Sequence, residues 1–104
     1  MAKAGKPPKT YKSFVDRFPK LGEAWDAMRE AEEAGPLDER TRRLVKLAVA
    51  IGAQKEGAVH SAVRKARAAG VTREEIEQVI ALAASTIGMP PTVAVYSWVI
   101  EHLK

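Results

Sequence analysis

The chain has 104 residues, no cysteine, two histidines, and 17 Lys+Arg against 13 Asp+Glu. The length suits one domain, and a hydrophobic share of 46% is that of a globular chain, too high for a disordered one. Without cysteine the chain offers no disulfide, no thiol nucleophile, no dithiol redox centre and no Cys-based zinc or iron–sulfur site. Two histidines make a multi-histidine metal site within one chain an unexpected outcome, and no cofactor is expected.

The net charge of +4 is unevenly placed. Residues 1–20 carry six basic side chains against one acidic, whereas residues 21–104 carry 11 against 12. The basic character therefore belongs to the N-terminus, and the rest is a mixed-charge surface. A basic tail alone is a poor argument for nucleic acid, which is not expected as a partner. No apolar h-region follows Met1 to Pro8, and the apolar run Leu47 to Ala53 is too short to cross a bilayer. A cytoplasmic protein with no membrane partner is the expectation.

In chain order, residues 1–9 are rich in Lys, Pro, Gly and Ala and read as a flexible basic arm. A single helical domain is expected over residues 10–104. Tyr11, Phe14, Val15 and Phe18 follow helical spacing, in a short helix closed by Pro19. Leu21, Trp25 and Met28 line a second helix that Gly35-Pro36 stops near Ala34. Asp38 is a candidate N-cap for a third, which becomes apolar nearly all round from Leu44 to Ile51 and reaches a break at Gly52-Ala53.

A fourth helix spans about Lys55 to Ala69, with Gly70 as its C′ residue. Thr72-Arg73-Glu74-Glu75 spells a capping box. Ile76, Val79, Ile80, Ala83 and Ile87 then keep a helical register up to Gly88. Thr92 is expected to cap a last helix that is again apolar on most faces and contains Tyr96, Trp98 and Leu103. No alternating strand pattern competes. The fold class is all-α, a bundle of five to six helices. Two helices too apolar for so small a monomer to cover point to a homo-oligomer.

The string Glu56-Gly-Ala-Val-His60, followed by Ala69-Gly70-Val-Thr72-Arg-Glu-Glu75-Ile76, with Arg43-Leu-Val-Lys-Leu-Ala before it and Ile87-Gly88-Met-Pro90 after it, resembles the carboxymuconolactone decarboxylase and alkylhydroperoxidase-D-like superfamily. The resemblance covers about residues 37–100. It implies an alkylhydroperoxidase-D-like helical bundle that assembles with itself, commonly as a trimer or hexamer, and lyase or decarboxylase-type chemistry as one option. The redox branch carries Cys-x-x-Cys-x-x-x-His on the helix before Gly70, and those positions fall on Lys55, Ala58 and Ala62. A thiol peroxidase is therefore not expected, because the sulfur is absent. The decarboxylase branch also relies on polar groups in this helix, and Ala62 supplies none.

Glu56 and His60 remain as the candidate catalytic pair. Four residues apart, they share a helix face, and a carboxylate beside an imidazole fixes its tautomer and suits it to proton transfer. The same spacing also occurs as an ordinary helix-surface contact. The expected function is proton-transfer chemistry on a small organic ligand of lactone or keto-acid type; the alternative is a non-catalytic oligomeric scaffold or small-molecule-binding module that retains the fold.

Three other features have simpler readings. A helix-turn-helix around Gly70 would present Arg73, Glu74, Glu75 and Glu77 to phosphates, the wrong sign for that role. Arg40, Arg42 and Arg43 read as a solvated face or an intersubunit salt-bridge set. His102 reads as a complement to the dipole of the last helix.

Overall fold

A computed structural model describes residues 9–104, which divide at Leu37/Asp38 into two compact units. The basic arm expected over residues 1–9 lies outside the described residues, except for Lys9. The described residues form six α-helices and a closing 3-10 turn, with no strand.

The first unit holds α1 (Lys9–Arg17) and α2 (Pro19–Glu33). Pro19 ends one helix and starts the next, since a first helical position needs no N–H. Gly22 lets α2 pass close to α1: a Cβ there would lie 3.2 Å from the Val15 Cβ. The Phe14 and Phe18 rings sit 5.3 Å apart, and the Arg17 guanidinium lies 4.9 Å from the centre of the Phe18 ring. Neither helix has a buried residue, and Leu21, Trp25 and Met28 are exposed.

The second unit carries the core. It contains α3 (Glu39–Gly52), α4 (Glu56–Ala68), α5 (Arg73–Ile87), α6 (Met89–Val99) and the 3-10 turn Ile100–Leu103. α3 packs on α4 and α5, and α6 packs on the same two, so the four helices close a ring of contacts. Each contributes one apolar row: Leu47, Ala50 and Ile51 from α3; Val59, Val63 and Ala66 from α4; Ile76 and Ile80 from α5; Val95 and Val99 from α6. Val71 and Leu103 complete the core, against which Val79, Ala83, Ile87 and Trp98 are partly buried.

The helix ends follow local chemistry. Asp38 caps α3 by accepting from the Thr41 N–H at 2.8 Å. Thr72 and Glu75 form the reciprocal capping box of α5, with Thr72 Oγ1 accepting from the Glu75 N–H and the Glu75 carboxylate accepting from the Thr72 N–H. α3 and α4 both end in the double-bonded left-handed turn. After α4, the Val71 N–H reaches the Ala66 carbonyl and the Gly70 N–H the Arg67 carbonyl, with Gly70 at φ 88°. After α3, the Lys55 N–H reaches Ala50 and the Gln54 N–H reaches Ile51. There the left-handed residue is Gln54, at φ 54°, rather than a glycine.

The last helix differs from expectation at both ends, its α geometry giving way at Ile100 to a 3-10 turn that holds Leu103. The last helix starts at Met89 rather than after Thr92. Pro90 and Pro91 fit its first turn because their fixed φ is helical and their missing N–H groups have no partner there anyway. Thr92 lies inside the helix and donates its hydroxyl to the Gly88 carbonyl at 2.8 Å.

Candidate functional site

α4 turns Val59, Val63 and Ala66 inward, which leaves Glu56 and His60 on the neighbouring face one turn apart. His60 Nε2 stands 3.3 Å from Glu56 Oε2. The side chains are 38% and 59% exposed, so this is a partly solvated pair with a looser bond than the usual N–H···O range.

The other ring nitrogen has a closer partner. His60 Nδ1 lies 2.8 Å from His102 Nε2, with ring centroids 5.0 Å apart and planes tilted by 57°. Leu103 is buried in the core, and the 3-10 turn packs against α4, so the adjacent His102 is delivered to His60 from 42 positions along the chain. His102 is therefore not a simple complement to a helix dipole. Tightening from α to 3-10 geometry at Ile100 places its ring against α4.

The hydrogen-bond roles follow from the carboxylate, which only accepts. With Glu56 ionised, His60 Nε2–H donates to it. A neutral His60 then has a lone pair on Nδ1 and accepts from His102 Nε2–H. If His60 is an imidazolium, both its nitrogens donate and His102 Nε2 accepts. The row Glu56–His60–His102 is satisfied in either charge state, provided His102 is neutral. Burial holds His102 below the ordinary histidine range, the charges of His60 and Arg64 push the same way, and Glu101 opposes them.

His60 lies between its two partners, so the three groups do not converge on one point. Among the described residues no three His, Asp or Glu side chains are grouped to hold a metal ion. The positions that carry the redox motif in relatives lie along the same helix: Lys55 is the N-cap residue of α4, Ala58 is exposed, and Ala62 packs partly buried against the core.

Arg40 pairs across two helices of the core unit. Its guanidinium meets the Glu75 carboxylate, joining α3 to the capping box of α5. No feature of the sequence near either residue announces that pairing. The third member of the histidine row had one available signal, since His60 and His102 are the only histidines in the chain.

No described helix is long and apolar enough to cross a membrane. The model of the carboxymuconolactone decarboxylase family matches residues 19–101. Among solved structures, the chain is similar to apo-lpg0406, a carboxymuconolactone decarboxylase family protein from Legionella pneumophila. The two share 22% identity and a TM-score of 0.76 over 90% of this chain and 84% of that one. A comparison with curated proteins gives no match.

Proposed function

The chain belongs to the carboxymuconolactone decarboxylase family, and from that premise we propose that it performs proton-transfer chemistry at His60 on a small organic ligand of lactone or keto-acid type. The observation that carries this reading is the placement of His60 between Glu56 and His102, with both ring nitrogens engaged. Nδ1 is the firmly held nitrogen at 2.8 Å; Nε2 is the loosely held one at 3.3 Å and borders the more exposed Glu56. A ligand that displaces or bridges the Glu56 contact meets Nε2. In the working step, the His60 imidazolium gives its Nε2 proton to the ligand and keeps its Nδ1 proton directed at His102. The reverse step returns it, and Glu56 stabilises the charged form. Thiolate chemistry has no nucleophile in this chain.

The test compares the parent with His60→Gln and Glu56→Gln on a panel of lactones, β-keto acids and hydroperoxides. The expected result is turnover of a lactone or keto acid by the parent that drops about 100-fold or more in His60→Gln, the size of a lost acid–base catalyst. Equal rates, or no turnover by the parent, would defeat the reading.

The protein is also proposed to act as a homo-oligomer, a trimer or hexamer by family likeness. Two outer faces support self-association. On α3, Val45 and Val49 are exposed; on α6, Met89, Val93 and Tyr96 repeat at helical spacing on the side away from Val95 and Val99. Exposed apolar stripes of this kind usually meet a protein surface.

A further inference from the structure

We propose that His60 and His102 act as one proton-holding unit, in which a single proton is carried on His60 beside Glu56 while His102 stays neutral and serves as the positioning residue for His60 Nδ1. The inference rests on the reading of His60 as the proton-carrying group, and it assigns a role to His102 that neither the family string nor the helix register contains.

Two imidazoles whose nitrogens face one another at 2.8 Å must have one donor and one acceptor. Two imidazolium rings at that separation would place N–H against N–H with like charges, so the pair holds one added proton readily and a second only with difficulty. The carboxylate decides which ring carries it. Glu56 lies on the far side of His60, where an imidazolium gains an ion pair. The charged groups around His102 favour the same outcome on balance. Arg64 on α4 disfavours its protonation, and α6 contributes no charged side chain. Glu101 in the turn favours it, but Glu101 is itself ion-paired with Lys104.

A specific consequence follows for His102. While His60 is neutral, His102 donates through Nε2–H. Once His60 is charged, His102 Nε2 must accept, and its own proton must sit on Nδ1. His102 therefore exchanges one neutral tautomer for the other as its neighbour titrates. In the ligand-free protein, where His60 Nε2–H faces Glu56, a neutral ring that can act as donor or acceptor keeps His60 hydrogen-bonded in both of its charge states. A fixed donor such as Lys could not do this.

The test uses ligand-free protein with 15N-labelled imidazole rings, titrated from about pH 9 to pH 5 across the ordinary histidine range. The expected signature is charging of the His60 ring accompanied by a switch of His102 from the Nε2–H to the Nδ1–H tautomer, without charging of His102. In His60→Gln the coupled switch is lost, and His102 takes its own proton at a pH higher by at least about half a unit, since a neighbouring like charge has gone. Retention of one His102 tautomer throughout the His60 titration, or independent charging of both rings over the same range, would overturn the proposal. The parent titration decides alone if the variant fails to fold. Because no ligand is present, a proton unit that titrates as described in a protein without turnover would separate this inference from the proposed reaction.

Discussion

The Arg40 guanidinium closes on the same Glu75 carboxylate that caps the N-terminus of α5. One side chain thus satisfies the Thr72 N–H of its own helix start and an ion-pair partner on α3. Arg40 is the larger cause, and with the Thr72 hydrogen bonds it holds the Glu75 carboxyl down at about 2, well below the usual carboxylate value of 4.5. A folded pKa below the unfolded one means that the unfolded chain binds more protons in that interval. The contribution of Glu75 is complete above pH 4.5 and is lost as the pH falls toward 2. Urea unfolding at a series of pH values should show this acid loss, and Glu75→Gln should flatten it. In Arg40→Ala, a carbon-detected titration should move the Glu75 carboxyl back toward its ordinary range. An unmoved carboxyl would mean that the arginine contact does not persist in solution.

Two helix ends use the same turn with different residues, and opposite substitutions should expose the cost. Gly70 occupies its left-handed position at φ 88° without strain, whereas Gln54 holds φ 54° with a Cβ present. Gln54→Gly should raise the unfolding free energy by about 0.5–1 kcal/mol through relief of that conformation, less the added freedom of the unfolded glycine. Gly70→Ala meets no neighbouring atom yet should lower it by about 1 kcal/mol for backbone reasons alone. Thermal or urea unfolding of both variants would check the pair of signs.

Much of this architecture is visible in the residues themselves. Asp38, Thr72 with Glu75, Gly70 and Pro19 act locally, so their capping and breaking roles are written within four residues of where they act. The register of Ile76 and Ile80 names the buried face of α5 by the same local logic. The Glu56–His60 contact is legible because an i,i+4 spacing on any helix brings the two together. His102 was legible only as a residue near a helix end. Its approach to His60 depends on the packing of α6 against α4 and on a 3-10 turn anchored by Leu103, which no local spacing encodes. Arg40–Glu75 is hidden for the same reason, since 35 residues separate the partners. Gly88-Met89-Pro90-Pro91 illustrates an ambiguous local signal. Two prolines can stop a helix or begin one, and at φ 90° Gly88 provides the turn that lets α6 start at once.

His102 gives a second pH window. Burial, then the charges of His60 and Arg64, hold its folded pKa below the ordinary 6.5. The sign is that of a depressed group: its contribution is intact above pH 6.5 and is lost as the pH falls through the folded value. His102 should therefore draw stability from the parent as the pH falls below 6.5, above the range in which Glu75 contributes. His102→Gln should reduce that loss while leaving the more acidic window in place. The His102 contribution is the difference between the urea midpoints of the parent and His102→Gln at each pH, and a difference that does not change as the pH falls below 6.5 would refute it.

The outer faces of α3 and α6 offer the test of assembly. α6 has an apolar residue at almost every position, but only one side meets the core, through Val95 and Val99; Val93 remains 57% exposed, and Val49 on α3 66% exposed. Burying such a side chain between subunits is worth about 1.5–3 kcal/mol for each, multiplied by the symmetry of a closed ring. A charge on one of these faces should therefore break the assembly without harming the fold, because neither residue touches the core. The parent should sediment as a trimer or hexamer at micromolar concentration, and Val49→Lys or Val93→Glu should sediment as a monomer with an unchanged helical circular dichroism spectrum. Core truncation makes the opposite prediction. Leu47→Ala, at a fully buried site, should cost about 2–5 kcal/mol in unfolding free energy whatever the state of assembly. A parent that sediments as a monomer would refute self-association through these faces, and an assembly that survives both charged variants would place the interface elsewhere on the chain.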